Sequence, residues 1–148
     1  MAVKYYQGKY MPKFPHKYKG DITTIVYRSS WELKAFNWCD MNSNVIEWSS
    51  EEFFIPYICP TDNRMHRYFP DLKLKIKDRT GSIKTYIAEI KPDAQTRPPE
   101  QGKRKTKRYL QEVMTWGKND AKWKYAREFC KDRGYEFVIL TEKHLNIK

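Results

Sequence analysis

From Tyr68 to Lys77 apolar and polar residues alternate. Leu72, Leu74 and Ile76 fall on one side of an extended chain, and Asp71, Lys73 and Lys75 on the other. Ile83 to Lys91 continues the two-residue period with Glu89 and Lys91 in one phase, and Pro92 stops it. Between them, Asp78-Arg79-Thr80-Gly81 has the composition of a tight connection, so the two runs read as a β-hairpin. Val45–Trp48 and Phe53–Ile58 read as shorter strands; Pro56 makes the second an edge or irregular one, and Thr61-Asp62-Asn63-Arg64 reads as a turn. Helical patterns flank these strands. Ser29-Ser30-Trp31-Glu32 opens a helix with the spacing of a capping box, continued by Leu33, Phe36 and Trp38 to about Met41–Asn44. A second helix is predicted from about Thr106 to Trp116. A third is predicted after Asn119 as N-cap, with Ala126, Phe129 and Cys130 at core spacing and Gly134 as its stop. Phe137-Val138-Ile139-Leu140 is an unbroken apolar run, as expected of a strand covered on both faces. The predicted order is α-β-β-β-β-α-α-β: an α/β fold with a mixed sheet flanked by helices and no internal repeat. Trp38 and Trp48 are expected in the core, and Trp116 and Trp123 in the core or at an interface.

Charge adds a partner class to this fold. The 148 residues carry 29 basic and 18 acidic side chains, a formal net charge of +11, which favours a polyanion: nucleic acid or an acidic membrane surface. No apolar run approaches the roughly 20 residues of a membrane span, and the basic N-terminus lacks the apolar stretch of a secretory signal, so nucleic acid is favoured and no membrane is expected. Cys39, Cys59 and Cys130 are isolated, which suits buried thiols in a reducing compartment better than disulfides or zinc. His16, His66 and His144 are too scattered for a metal signature. Residues 1–20 interleave Tyr5, Tyr6, Tyr10, Phe14 and Tyr18 with Lys4, Lys9, Lys13, Lys17 and Lys19. They read as a basic, aromatic arm that either packs on the body or stacks on nucleic acid, with 21–148 as one domain.

The hairpin carries the candidate chemistry. Folding it back brings Asp71 beside Glu89, and two carboxylates about 4 Å apart repel by roughly 4 kcal/mol at an effective dielectric of 20. Either one acid holds a proton or a cation lies between them. Mg²⁺, with Mn²⁺ as a substitute, suits such oxygen donors, and the Ile90 carbonyl between Glu89 and Lys91 is a third candidate ligand. Lys91, in phase with Glu89, is placed to stabilise negative charge on a phosphate or to orient a water. The chemistry indicated is metal-assisted phosphodiester hydrolysis. Pro-Asp and Glu-x-Lys are each common pairs, and the same residues also suit a solvated hairpin face. Candidate DNA contacts are His66 and Tyr68 before the Pro-Asp, Gln95 after Lys91, and Lys103, Arg104, Lys105, Lys107 and Arg108 in the basic run.

Asp71 with Glu89-Ile90-Lys91 resembles the PD-(D/E)xK nuclease superfamily, the fold of many restriction endonucleases. Added to these are Tyr27-Arg28-Ser29-Ser30-Trp31-Glu32, Val45-Ile46-Glu47-Trp48, Ile55-Pro56-Tyr57, His66-Arg67-Tyr68-Phe69-Pro70-Asp71 and Glu89-Ile90-Lys91-Pro92. Together these resemble the head completion nucleases of T4-type bacteriophages, a group related to the endonuclease subunit of the Tn7 transposase. The resemblance spans about residues 18–141. It implies a restriction-endonuclease-like α/β fold and a metal-dependent endonuclease acting on double-stranded DNA. The implied setting is head completion, around DNA packaging and before tail joining. It further implies phage head or neck proteins as partners, and the host cytoplasm during assembly, or the virion, as location. By the same resemblance Glu32 is the helical acid that completes the metal site with Asp71, Glu89 and Ile90, although its spacing from Ser29 equally makes it a capping residue. The competing reading keeps the nuclease fold but not the cutting: a DNA-binding structural protein of the virion. An RNA-binding module lacks its aromatic signature.

Overall fold

Pro70 divides what the alternation reads as one strand. In the computed structural model, which describes residues 7–102 and 104–146, Arg64–Tyr68 and Leu72–Lys77 are separate strands in separate sheets, joined by Phe69-Pro70-Asp71. Proline has no amide to give to a ladder, so a chain that changes sheets can do so there without leaving a donor unpaired. In chain order the elements are β1 (Gly8–Lys9), a 3₁₀ turn (Pro15–Lys17), β2 (Val26–Tyr27), α1 (Ser30–Met41), β3 (Val45–Ser49), β4 (Ile55–Cys59), β5 (Arg64–Tyr68), β6 (Leu72–Lys77), β7 (Ile83–Ile90), a second 3₁₀ turn (Asp93–Thr96), α2 (Lys107–Arg133) and β8 (Glu136–Leu140).

The main sheet has the order β3-β6-β7-β8, with β3, β6 and β7 antiparallel and β8 parallel to β7. A mixed sheet between helices is the α/β architecture expected from the pattern. β4 and β5 form a two-stranded ribbon, and β1 and β2 form another. One face of the main sheet packs on α1 through Phe36, Trp48, Leu72, Leu74 and Ala88; the second apolar cluster joins the β4–β5 ribbon to α2 through Ile55, Tyr57, Tyr68, Trp123 and Ala126. The apolar run of β8 serves both, with Val138 and Leu140 against the first cluster and Phe137 and Ile139 against the second, although the strand lies at the sheet edge.

The element order differs from the predicted one. α2 is a single 27-residue helix where two were expected. Gly117 and Asn119 look like a break in the sequence, but a helical glycine costs only about 1 kcal/mol, less than uncovering the Trp116–Trp123 pair that spans it. Thr106 caps the helix by accepting from the Tyr109 amide, and Gly134 ends it at φ 72°, as expected. β5 was not expected; its residues are mostly exposed, so it has no apolar alternation to read. Trp48 is in the core as expected, whereas Trp38 is 49% exposed, on the outer side of α1. All three cysteines are free and buried.

The described part of the N-terminal segment packs on the body; Lys4, Tyr5 and Tyr6 lie outside the described residues. Tyr10 and Tyr18 sit edge-on to Trp48. Asp40, 1% exposed, accepts from the Tyr10 hydroxyl at 2.8 Å and from the Lys13 and Phe14 amides at 2.8 and 3.1 Å. Lys17 is buried, with Nζ donating to the carbonyls of Cys39, Asp40 and Asn42 at 2.7–2.8 Å. These are carbonyls that the end of α1 leaves without helical partners, and a cation there also complements the helix dipole. Lys17→Met should therefore cost roughly 2–4 kcal/mol, read as a lower urea midpoint at unchanged slope. An unaltered midpoint would mean that this segment does not secure α1.

Candidate active site

Asp71 and Glu89 meet because of register. Leu72 pairs with Ala88 across β6 and β7, so the residue before Leu72 lies beside the residue after Ala88. The Ile90 amide donates to Asp71 Oδ2 at 2.7 Å, fixing that carboxylate to the neighbouring strand. Glu89, 7% exposed, accepts a short hydrogen bond from the Tyr68 hydroxyl, and Lys91 Nζ stands 3.9 Å from its other oxygen. The Lys91 amide is tied to the Leu140 carbonyl of β8 at 3.0 Å, which holds the end of the Glu-x-Lys segment in place.

Glu32 enters from the first turn of α1. Ser29 Oγ accepts from the Glu32 amide at 3.1 Å, while the Glu32 carboxylate accepts from the Arg28 amide at 2.9 Å. The return half of the capping box thus reaches one residue further back than Ser29. Only one oxygen of Glu32 is engaged in that bond, and its charge still acts on Asp71, so capping does not remove it from the pocket.

Burial of these acids is reflected in their titration. Burial first, and then the charge of Asp71, pushes Glu32 up to about 7. Asp71 is raised well above the usual carboxylate range by burial and by the Glu89 charge, against the pull of the Ile90 amide. Glu89 is raised by burial, with the Tyr68 hydroxyl and Lys91 opposing. Asp71 stands between the other two, paired with Glu89 by register and feeling the charge of Glu32. The three do not bring one oxygen each within 4.8 Å of one another among the described residues, but hard carboxylate oxygens are the donor class a hard divalent ion takes.

Two further groups were not expected from the sequence. Arg28 pairs with Glu51 through a short contact and feels the charges of Glu32 and Asp71. Lys122 comes from α2, with Nζ 5.8 Å from the centre of the Tyr68 ring and 5.9 Å from that of Tyr57. Burial holds its pKa below the usual lysine range, while Glu89 pulls it back up. The near-invisible signal for Lys122 was its place four residues before Ala126 on the packed side of a helix.

The residues read as DNA contacts are dispersed. Tyr68 is only 3% exposed and serves Glu89 rather than the surface. His66 is part-exposed and hydrogen-bonded to Asp62 at 2.8 Å. With Cys59 these form a second donor group, all atoms within 4.8 Å of one another. There the Cys59 thiol already faces the Thr61 hydroxyl at 3.1 Å, so each donor has a partner inside the hairpin. Gln95 is exposed and shares a cleft of about 540 Å³ with Arg97, Arg108 and Trp116. Arg104, Lys105, Lys107 and Arg108 are exposed around the start of α2, Arg108 pairing with Glu112 at 3.1 Å, and Lys103 lies outside the described residues.

A mixed sheet between helices, with Asp71 and a Glu-x-Lys strand end at one corner, is the arrangement of the PD-(D/E)xK nuclease class. Residues 42–142 match the family described as TnsA-like endonuclease N terminal, and the chain belongs to that family. Over 144 residues it is 42% identical to the head completion nuclease of Enterobacteria phage T4, covering 95% of this chain and 93% of that protein. Among the described residues no helix is long and apolar enough to cross a membrane.

The raised Glu32 value has a sign that can be tested. Its proton is held more tightly in the folded than in the unfolded chain, where the ordinary value is 4.5. The stability this gives is complete below about pH 4.5 and is lost as pH rises through about 7. Metal-free protein should therefore lose melting temperature over that interval. Glu32→Gln should flatten the loss and be about 1–3 kcal/mol more stable than the parent near pH 8. A variant whose melting temperature tracks the parent at every pH would show that Glu32 is not a strained acid.

Proposed function

We propose that this protein is a divalent-metal-dependent endonuclease that hydrolyses phosphodiester bonds of double-stranded DNA during phage head completion. The observation that carries the reading is that the β6–β7 register sets Asp71 beside Glu89 and the Lys91 ammonium, with the charge of Glu32 on α1 felt at Asp71. Family membership and the name of the phage T4 relative support the activity and the setting.

In this reading Asp71, Glu89, the Ile90 carbonyl and Glu32 would hold Mg²⁺, with Mn²⁺ as a substitute, and the ion would supply Lewis-acid polarisation of a phosphate oxygen and a more acidic water. The chain's own residues do the rest. The Ile90 amide and the Tyr68 hydroxyl keep Asp71 and Glu89 aimed inward, so no reorganisation is needed when DNA arrives. Lys91, 3.9 Å from Glu89, presents its ammonium to the scissile phosphate, where it stabilises developing negative charge and orients the attacking water. Gln95 and the basic residues from Lys103 to Arg108 lie along the chain just past the site and would grip flanking phosphates, each phosphate neutralised by a Lys or Arg adding about 0.9 to the salt slope of binding. His66, tied to Asp62, is kept as a peripheral contact. Assembly in the host cytoplasm, alongside head or neck proteins, is the setting that follows from the likeness to the phage protein.

The test is digestion of supercoiled plasmid. Mg²⁺ or Mn²⁺ should yield nicked or linear product, and chelator should stop it. Asp71→Ala and Lys91→Ala should each lower the rate by roughly 10²–10³-fold while the fold is kept. Equal cutting by both variants would remove the assignment, and DNA binding with no metal-dependent product would favour a structural virion protein instead.

A further inference from the structure

Lys122 lies midway along α2, part-buried, and its ammonium stands over the rings of Tyr57 and Tyr68, 5.9 and 5.8 Å from their centres. Among the described residues no carboxylate oxygen lies within 4.0 Å of it, whereas Lys124, two residues on, pairs with Asp120 at 3.0 Å. An ammonium drawn out of water is costly unless an anion or hydrogen-bond acceptors compensate. Two tyrosine faces compensate in part. Glu89 does not pair with it directly: its oxygens face the Tyr68 hydroxyl and Lys91, and neither stands within 4.0 Å of the Lys122 ammonium. Tyr68 connects the two sites: its ring supports Lys122 and its hydroxyl holds Glu89. The chain thus keeps a positive charge beside the carboxylate pocket that feels Glu89 but has no carboxylate oxygen at pairing distance among the described residues.

We propose that Lys122 is a substrate contact, its ammonium taking a non-bridging oxygen of a DNA phosphate at the carboxylate pocket, from α2 as Lys91 does from β7. The class of ligand rests on the endonuclease reading; the unpaired ammonium rests on the packing around Tyr57 and Tyr68. The alternative is a lysine that merely balances the charge of Glu89.

The salt dependence of binding separates these. A short DNA duplex is titrated with the full chain in Ca²⁺ across about 50–200 mM salt, using the parent, Lys122→Gln and Lys122→Arg. Loss of one phosphate contact should reduce the slope of log K against log salt by about 0.9 in Lys122→Gln, and Lys122→Arg should restore it. In Mg²⁺, single-turnover plasmid cutting by Lys122→Gln should fall at least about tenfold, with part of the loss recovered in Lys122→Arg. Should Lys122→Gln not fold, Lys122→Met keeps the stem on both rings and serves as the neutral variant. An unchanged slope in a folded neutral variant overturns the proposal, whether or not cutting is lost, since lost cutting alone would mean action through Glu89. If the parent binds duplex but never cuts it, the endonuclease reading fails while the slope still decides the role of Lys122.

Discussion

Three carboxyl groups sharing one poorly hydrated corner set the terms for everything around them. Left free, they would repel and the corner would open. Each is instead restrained by a donor from elsewhere in the chain: the Arg28 amide on Glu32, the Ile90 amide on Asp71 and the Tyr68 hydroxyl on Glu89. These donors sit at the start of α1, the end of β7 and the end of β5, so the corner exists only when helix, sheet and ribbon are all in place. The raised affinity of all three acids for protons measures how unwelcome their charge is without a counter-ion. Such a site is destabilising by construction, and the stability it lacks must come from elsewhere in the fold.

Some of that stability is visible at the far end of α1. The segment before the first helix is not an appendage: Tyr10 and Tyr18 belong to the same aromatic cluster as Phe36 and Trp48. Asp40 and Lys17 make an exchange in which a buried acid accepts backbone amides of the segment while a buried lysine caps the helix that carries the acid. Glu32 at one end of α1 is therefore positioned partly by contacts at the other, since a rigid helix transmits its placement along its length.

How much was legible follows from what each residue faces. Asp71, Glu89 and Lys91 could be placed together because a hairpin has a fixed two-residue period and a fixed partner for each position. Ser29 as N-cap and Gly134 as stop were legible because termini have strong local chemistry. The continuity of α2 was not, since Gly117 breaks helices on propensity while the Trp116–Trp123 packing that overrides it is tertiary. β5 was invisible because a ribbon strand with few buried side chains has no period to show. Tyr68 looked like a surface contact because a tyrosine beside Pro-Asp gives no sign of which way it turns, and Lys122 showed only its helical spacing from Ala126 because the rings around it come from β4 and β5. The sequence offered Glu32 both as a cap and as an acid of the pocket; its carboxylate accepts the Arg28 amide and also feels the charge of Asp71.

The β6–β7 connection stands apart from all of this. Asp78 organises it, accepting from the amides of Thr80 and Ser82, and Gly81 takes a φ of 83° there. It closes the end of the hairpin opposite Asp71 and Glu89, and its residues are exposed. Length and composition can drift at that tip without disturbing the acidic corner. It is accordingly the natural address for a fluorophore, an epitope or a tethering graft.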